Sequence, residues 1–360
     1  MQNFFCKTQV VAGKGSLQAL KDLSISRLFV VTDPYFYENG KAMDLVKLSG
    51  AKDYKIFHDI TPDPSVTLAA KATAAAKELK PDTVLALGGG SAMDCAKAVV
   101  YFLEEKVQLV AVPTTSGSGS EVTSFAVLTH EGSKYPLVDH KLCPDMAILD
   151  SDLVSSLPKS LVADGGFDVL SHALESFVAT GANDITRALS KEAFRTVLAC
   201  LPASFGGNLQ ARERIHTAST MAGLAFTGAG LGICHSIAHA LGGMFHIPHG
   251  RLNAILLPVV IGCNAHCAGG QYAALARSAE LSGASETVAV RSLMNNLTRL
   301  RKQCNLPGNL REAGVDPRVL RQAIPKLTEQ ALQDPCTKTN PLPVADFMIR
   351  RILDEVSGSV

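Results

Sequence analysis

The sequence has almost no excess of charge of either sign, because 34 lysines and arginines face 33 acidic residues among 360. Without a dense basic stripe, nucleic acid is not expected to be a partner. No apolar run reaches the length needed to span a bilayer, so we expect no membrane partner. The N-terminus lacks the basic segment and apolar stretch of a signal peptide, so we expect an intracellular, cytoplasmic chain.

The cysteines lack any pairing pattern. They are nine in number and scattered along the chain, which argues against a disulfide framework. The nearest approach to a motif is "CNAHC" at residues 263–267, which has no matching second pair. Free thiols on a helix are therefore favoured over a zinc site.

What the composition provides is a large apolar fraction, 47% hydrophobic against 19% charged residues, which is typical of a folded protein. A chain of this length exceeds what one core usually supports, so we expect two domains. Residues 1–157 alternate β-branched runs with helical stretches, which predicts an α/β domain with a parallel sheet. The predicted strands are 27–33, 53–59, 82–90, 107–115 and 146–150, and the predicted helices are 64–80 and 91–105. After the break at "SSLPKS", residues 158–360 show helical spacing alone and predict an all-helical domain.

A glycine-rich turn in "VLALGGGSAMDCAKA" separates a predicted strand from a predicted helix. Glycines without Cβ atoms let a ligand approach the backbone, and a helix start offers free N–H groups to a phosphate. Ser91 is placed to cap the helix and Asp94, three residues on, to complete the capping arrangement. The GxGxxG fingerprint is absent. Alone, a dinucleotide site and a plain strand-to-helix turn explain this stretch equally well.

Two further stretches favour a dinucleotide. "VPTTSGSGSEVTS" (residues 112–124) follows another predicted strand, and its hydroxyls suit a diphosphate and a ribose. Asp33 ends an early strand in "VVTD". A carboxylate there accepts hydrogen bonds from ribose hydroxyls and repels a 2′-phosphate, which favours NAD over NADP.

Four of the ten histidines fall within "GICHSIAHALGGMFHIPHG", residues 232–250. His235 and His239 are one helical turn apart, and "DGGFDVLSHALESF" repeats that spacing with Asp168 and His172. A carboxylate and imidazoles among apolar residues need partners or a metal. The spacing predicts a site for Fe²⁺, Zn²⁺ or another divalent ion, without choosing among the four histidines.

Taken together, "GGGSAMDCAKA", "PTTSGSGSEVTS", "DGGFDVLSHALES" and "GICHSIAHALGGMFHIPHGRLNAILLP" resemble the iron-containing (group III) alcohol dehydrogenases over nearly the whole chain. The resemblance implies a Rossmann-like N-terminal domain at 1–157, a helical metal-binding and catalytic domain at 158–360, the dehydroquinate synthase-like fold, and a cleft between the domains. "KTQVVAGKGSL", "ITPDPSV" and "KYPLVDHKLCPDMAILD" resemble most the propanol-forming branch found in propanediol-utilising bacterial microcompartments.

The resemblance also implies roles for particular residues. The metal ligands, with Fe²⁺ favoured and Zn²⁺ also suitable, would be Asp168, His172, His235 and His249. His239 would serve in proton transfer. His246 is not a ligand in the family and is interpreted as cleft wall or second layer. At the position of Arg251, small or apolar residues are common in the family. The arginine side chain would either narrow the cleft or reach solvent. The NAD contacts would be Asp33, Gly89, Gly90, Ser91, Asp94, Thr114, Thr115, Ser124 and Lys134.

The implied reaction is reversible hydride transfer between NAD and a short-chain primary alcohol, with propanal and 1-propanol favoured. One alternative is a glycerol or diol dehydrogenase of the same family. A dehydroquinate synthase-type lyase is disfavoured, because it needs a dense set of Lys and Arg that the residues around the histidines lack. The remaining alternative is a non-catalytic homologue associated with a microcompartment. We expect a homodimer or larger homo-oligomer, with microcompartment proteins as further candidate partners.

Overall fold

The computed structural model describes residues 4–103, 106–130 and 133–358. These residues form two compact units. The first unit spans Phe5–Leu157, and the second contains Phe4 and the chain from Pro158 onward.

The first unit is built on a six-stranded sheet in which every neighbouring pair of strands is parallel. Its strands, in chain order, are β1 (Gln9–Ala12), β2 (Arg27–Thr32), β3 (Asp53–Phe57), β4 (Thr83–Gly88), β5 (Gln108–Pro113) and β8 (Met146–Leu149). Their order across the sheet is β1-β8-β5-β4-β2-β3. A separate antiparallel hairpin pairs β6 (Phe125–His130) with β7 (Ser133–Val138). The sheet confirms the parallel α/β architecture expected from the sequence.

Helices complete this unit: α1 (Pro34–Glu38), α2 (Lys41–Ser49), α3 (Val66–Leu79) and α4 (Gly90–Phe102). Alternate residues of the central strands belong to two separate apolar clusters. Val84 and Ala86 pack with residues of α3 and α4, whereas Leu85 and Leu87 pack with residues of α2. Burial on both faces explains why β4 is a continuous apolar run.

The five predicted strands are all present, each one to three residues shorter than its predicted run. Strand β1 and the hairpin were not predicted. Strand β1 lies at the edge of the sheet and only Val11 of its four residues is half-buried, so it lacks the apolar signal on which the prediction depended. The hairpin alternates buried and half-buried positions in β6 and lies outside the parallel sheet.

In the described residues of the second unit, helices are the only regular secondary structure, as the sequence predicted. Its helices are α5 (Lys159–Val178), α6 (Asp184–Phe205), α7 (Leu209–Ala229), α8 (Ile233–Phe245), α9 (His249–Ser278), α10 (Glu286–Gln303), α11 (Pro317–Gln333) and α12 (Asp346–Val356). Helices α5, α8 and α9 carry the histidines and acidic residues that the sequence analysis singled out.

Helix α9 corrects the expectation that no apolar run reaches membrane length. Among the described residues, this helix is long and apolar enough to cross a bilayer, although 61% of its most apolar window is buried inside the protein. Helices α7 and α8 pass the same test only as a pair, and the chain bends by 106° between them. A mostly buried core helix of a soluble protein has these properties too.

All nine cysteines are free thiols, so the prediction against a disulfide framework is confirmed. Cys263 and Cys267 lie on α9, half-buried and exposed respectively.

Candidate active site

Helix α5 places Asp168 and His172 one turn apart, both on buried positions. Oδ1 of Asp168 lies 3.9 Å from Nε2 of His172. The same carboxylate oxygen accepts a hydrogen bond of 3.0 Å from Nδ2 of Asn253 on α9. The carboxylate is therefore held between two helices, and this orientation was not visible in the sequence.

Three of the predicted ligands form a compact donor group. Asp168, His235 and His249 each offer one ligand atom, and these atoms lie within 4.8 Å of one another. Nε2 of His249 is 3.6 Å from Oδ1 of Asp168. His172 is outside this group of three, but its ring stacks on that of His235 with the centroids 4.6 Å apart. The structure thus brings all four predicted ligands together from three helices.

Among the predicted ligands, His235 has the hydrogen-bonding arrangement that best suits a metal ligand. Its side chain is 1% exposed, and Nδ1 is bonded to Oε2 of Glu175 at 2.6 Å. Nε2 is buried and has no hydrogen-bond partner among the described residues. Burial, and then the neighbouring His172 and His239, lower the pKa of His235 well below its ordinary value. A neutral imidazole with a buried, unused ring nitrogen is the donor that a divalent cation requires.

Glu175 is a site residue that the sequence analysis missed. Its buried carboxylate accepts hydrogen bonds from the backbone N–H groups of Gly232, Cys234 and His235, at 3.0, 2.8 and 3.3 Å. Burial raises the pKa of Glu175 to about 7, although these N–H groups oppose the rise. A signal existed, because Glu175 follows Asp168 by seven residues and His172 by three, and so lies on the same helix face.

Gly232 explains why the first turn of α8 can meet this carboxylate. A Cβ atom on Gly232 would lie 2.6 Å from Oε1 of Glu175 and 2.8 Å from Oδ1 of Asn340. Oδ1 of Asn340 in turn accepts the N–H of Ile233 at 3.3 Å. The N–H groups that a helix start leaves unpaired are therefore satisfied by two side chains distant in sequence.

His239, on the same helix, has a different partner. Its Nδ1 is bonded to Oδ2 of Asp334 at 2.8 Å, and its side chain is 27% exposed. Its ring stacks on that of His249 with the centroids 5.1 Å apart. Desolvation raises the pKa of Asp334, but the hydrogen bond and charge of His239 outweigh it and bring the pKa to about 2. Asp334 was also missed, since it lies 95 residues further along the chain.

The structure restricts the expectations for two neighbouring residues. His246 ends α8 in the left-handed backbone conformation at φ 54° and is exposed, so it does not form a second layer behind the ligands, and its place in a cleft wall stays a prediction. Arg251 does not stand free in solvent, because its Nε and Nη2 donate to the two carboxylate oxygens of Asp164 at 3.2 and 3.0 Å. A bidentate pair of this kind fixes the arginine.

The ion pair of Arg251 and Asp164 lies beside a close contact between α5 and α9. A Cβ atom on Gly250 would lie 1.9 Å from the carbonyl oxygen of Asp164, so only glycine allows the start of α9 to reach α5. His249 precedes Gly250, and Asp168 lies one turn beyond Asp164. The contact between Arg251 and Asp164 therefore stabilises the approach of these two predicted ligands.

In the first unit, the predicted glycine turn joins β4 to α4 at the carboxyl edge of the sheet. A Cβ on Gly88 would be 2.7 Å from Cβ of Ala92, and one on Gly89 would be 3.2 Å from Oγ1 of Thr115. The N–H of Thr114 also donates to the carbonyl of Gly88 at 3.0 Å. The hydroxyl-rich segment after β5 therefore contacts the glycine turn. Its hydroxyls lie close to the N–H groups at the start of α4, and this combination of donors suits an anion.

The predicted capping arrangement of this turn was wrong. Helix α4 begins at Gly90 with Gly89 at the N-cap, so Ser91 is inside the first turn. The Asp94 carboxylate accepts hydrogen bonds from Oγ of Ser120 and from the N–H of Val127, at 3.0 and 3.2 Å. A side chain at the N-cap would require Thr115 to shift by a few tenths of an ångström, and glycine avoids that contact.

The remaining predicted cofactor residues lie on separate segments of this unit. Asp33 follows β2 and caps α1 by accepting the N–H of Phe36 at 3.1 Å, and its Oδ2 is 3.7 Å from a Cβ placed on Gly88. Ser124 is half-buried and immediately precedes β6. Lys134 on β7 forms an ion pair of 2.8 Å with Asp63. The structure therefore brings Asp33 to the glycine turn, whereas Lys134 is held by an acidic partner.

Comparisons with known proteins agree with this arrangement. The family model "Iron-containing alcohol dehydrogenase" matches residues 7–151, and the C-terminal model "Fe-containing alcohol dehydrogenase family" matches residues 162–356. The chain is 41% identical to the 1-propanol dehydrogenase PduQ of Citrobacter freundii, over 99% of this chain and 100% of that protein.

Solved structures show the same fold. An iron-containing alcohol dehydrogenase from Thermococcus thioreducens superposes with a TM-score of 0.91 at 30% identity, covering 98% of this chain and 99% of that one. A sulfoacetaldehyde reductase from Bifidobacterium kashiwanohense, solved in complex with NAD⁺, superposes with a TM-score of 0.90 at 26% identity over the full length of both chains. The chain belongs to the iron-containing alcohol dehydrogenase family, and the protein is an alcohol dehydrogenase.

Proposed function

We propose that the protein interconverts short-chain primary alcohols and aldehydes with NAD and a divalent metal, and that propanal and 1-propanol are its preferred pair. The observation that carries the proposal is the group of Asp168, His235 and His249, whose ligand atoms lie within 4.8 Å of one another around an unused buried nitrogen of His235. When bound, the cation supplies Lewis acidity to the substrate oxygen, and the nicotinamide accepts or supplies the hydride.

The residues proposed to hold the cation are Asp168, His172, His235 and His249. One carboxylate and three imidazoles, without a thiolate, suit Fe²⁺ and also Zn²⁺. We favour Fe²⁺ because the family is iron-containing. Glu175 and Asn253 orient two of these ligands through the hydrogen bonds described above, at 2.6 and 3.0 Å.

For the dinucleotide, we propose that the backbone of the glycine turn and the neighbouring hydroxyls bind the diphosphate. These residues are Gly89, Gly90, Ser91, Thr114, Thr115 and Ser124, with Asp94 and Lys134 beside them. Asp33 is proposed to accept hydrogen bonds from the ribose and to exclude a 2′-phosphate by charge repulsion. The NAD⁺ complex of the Bifidobacterium relative supports this use of the fold.

His239 is proposed to carry the proton between substrate and solvent. Asp334 bonds to Nδ1, so the hydrogen bond fixes the ring and leaves Nε2 for proton exchange. The side chain is partly exposed, unlike His235, which gives it the access to water that a relay needs.

Similarity to the PduQ proteins also supports a proposal for the oligomeric state and the cellular location of the protein. The 1-propanol dehydrogenases named PduQ match this chain end to end. We therefore propose a homo-oligomer, a dimer or larger, that acts on propanal beside or inside a bacterial microcompartment. Light scattering of the purified protein, and its distribution between the shell fraction and the free fraction of cell lysate, test these two points.

The decisive experiment combines metal analysis with an aldehyde series. Protein purified without oxygen is analysed for bound iron and zinc, and the loss of NADH absorbance is followed with ethanal, propanal, butanal and glyceraldehyde. We expect about one metal ion per chain and the largest kcat/KM with propanal. A preference for glycerol and glyceraldehyde would indicate a diol dehydrogenase instead, and a metal-replete protein with no NADH turnover would indicate a non-catalytic homologue.

A further inference from the structure

Lys97 is a buried lysine that the proposed reaction does not use. It lies on α4 and is 1% exposed. Its ammonium donates to Oγ of Ser120 at 2.9 Å, to Oγ1 of Thr123 at 2.7 Å and to the carbonyl of Phe125 at 2.8 Å. All three N–H donors of the lysine therefore have partners on one segment of chain, which runs from Ser120 to the first residue of β6.

Burial of this charge is unfavourable unless its surroundings compensate for it. Desolvation lowers the pKa of Lys97 to about 8, while the nearby Asp94, Cys143 and Glu121 oppose the fall. Lysine is almost never fully buried without a charged partner. A buried ammonium with three short hydrogen bonds therefore indicates a position where a defined loop geometry is required.

Asp94, three residues earlier on α4, holds the same segment at two further points. Its carboxylate accepts Oγ–H of Ser120 at 3.0 Å and the N–H of Val127 at 3.2 Å. Ser120 thus contacts both charged side chains. Because Asp94 and Lys97 lie on one helix face, they act together as a clamp on residues 120–127.

The clamp lies on the helix that begins at the glycine turn. A Cβ on Gly90 would be 3.4 Å from Oγ of Ser118, which also accepts the N–H of Ser120 at 3.3 Å. The hydroxyl of Ser118, which faces the turn, is therefore connected to Lys97 through Ser120, whose N–H donates to Ser118 and whose Oγ accepts from Lys97. A displacement of Ser120 would therefore weaken the hydrogen bond that holds Ser118 beside the turn.

We propose that Lys97, with Asp94, is a positioning residue for dinucleotide binding, which holds the segment from Thr114 to Ser124 against the glycine turn before the cofactor binds. The inference rests on the proposed function, because it needs the diphosphate to bind at this turn. A loop that is already ordered does not lose conformational entropy on binding, so the affinity is higher than for a loose loop.

The test uses the full-length protein and removes the clamp without leaving an unpaired charge. The double variant Asp94→Asn/Lys97→Met replaces both charges by neutral groups of similar size. Lys77→Met is the matched control, since Lys77 is exposed on α3 in the same unit. The dissociation constants of NADH and of ADP-ribose are measured by calorimetry, together with hydrogen exchange of residues 114–127, bound metal and thermal stability.

We expect both dissociation constants to rise about tenfold in the double variant, as loss of preordering for a few side chains implies. Amides of 114–127 should exchange faster, whereas bound metal should stay at the wild-type level. The KM for NADH should rise with little change in kcat, which a general loss of folding would not produce. Lys77→Met should match the wild type in every measurement.

Wild-type affinity and wild-type exchange in the double variant would overturn the inference. If the double variant does not fold, Thr123→Val provides the test. This substitution removes one hydrogen-bond acceptor of Lys97 and keeps the shape of the side chain. Unchanged NADH affinity in Thr123→Val would overturn the inference equally. A wild-type protein that does not bind NADH would overturn the proposed function itself, and the two failures are thereby distinguishable.

Discussion

Oε2 of Glu175 lies 2.6 Å from Nδ1 of His235, and the same carboxylate accepts three backbone N–H groups at the start of α8. One buried side chain on α5 therefore sets both the position of a helix and the tautomer of a proposed metal ligand. With Nδ1 protonated and bonded, the lone pair of His235 is at Nε2, the nitrogen without a hydrogen-bond partner.

Glu175→Gln is the first prediction. Glutamine has one acceptor oxygen and one NH₂ group, so it cannot accept from the N–H of Cys234 and from Nδ1 of His235 at the same time. We expect the affinity for the divalent cation to fall about 10- to 100-fold, measured by competition with a chelator. Glu192→Gln, an exposed glutamate on α6, is the control and should bind metal normally.

Removal of a ligand tests the metal site itself. His235→Ala and Asp168→Ala should each abolish metal occupancy, measured by elemental analysis, and with it dehydrogenase activity. His246→Ala should retain both, because that side chain is exposed at the end of α8. A metal-free but fully active His235→Ala protein would show that the assignment of ligands is wrong.

His239→Ala should separate metal binding from proton transfer. The variant should keep its metal but lose about 10²- to 10⁴-fold in kcat, with an altered pH dependence, as loss of a general acid–base group implies. Asp334→Asn should give a smaller loss of the same kind, since it weakens the hydrogen bond at Nδ1 of His239. If metal content falls in His239→Ala as sharply as in the ligand variants, the relay role must be abandoned.

Cofactor choice is expected to depend on the charge of Asp33. Its carboxylate also caps α1, so Asp33→Gly would remove a cap together with the charge. Asp33→Asn keeps an N-cap of equal quality and removes only the charge. In that variant, the ratio of kcat/KM for NADPH to that for NADH should rise about tenfold or more, because charge repulsion with the 2′-phosphate is lost. An unchanged ratio in both variants would refute the role of Asp33.

Arg251→Leu addresses the contact between α5 and α9. Asp164 is only 10% exposed in its side chain, so loss of Arg251 leaves a nearly buried carboxylate without its bidentate partner. We expect the free energy of unfolding to fall by about 1–3 kcal/mol in urea titrations. Arg350→Leu breaks the exposed pair with Asp346 and should change it by less than about 0.5 kcal/mol. Equal effects of the two substitutions would contradict the structural role of Arg251.

Patterns that repeat at short range were predictable. The apolar strands β2, β4 and β5 alternate their side chains between two clusters, and burial of both faces makes each a continuous apolar run. The i and i+4 spacings of Asp168 with His172, and of His235 with His239, identified residues that share a helix face, because helix geometry relates such positions directly. The edge strand β1 was missed because exposure removes the apolar signal.

Partners that are distant along the chain were not predictable. Glu175 and His235 are 60 residues apart, His239 and Asp334 are 95 apart, and Asp164 and Arg251 are 87 apart. Local propensity and periodicity contain no information on such pairs, since they depend on how whole helices pack. For the same reason, the sequence did not reveal that a nearly buried carboxylate, that of Asp164, holds Arg251.

By itself, the amino-acid sequence determined the five apolar strands of the first unit, the helical character of the second, and which residue types offer ligands and anion-binding backbone, because these follow from side-chain periodicity and chemistry. Only the tertiary structure decided which nitrogen of His235 is unused, what holds Arg251, and why Lys97 is buried. The physical reason is that hydrogen bonds and burial depend on distances of a few ångströms between segments, and these distances exist only after the helices have packed.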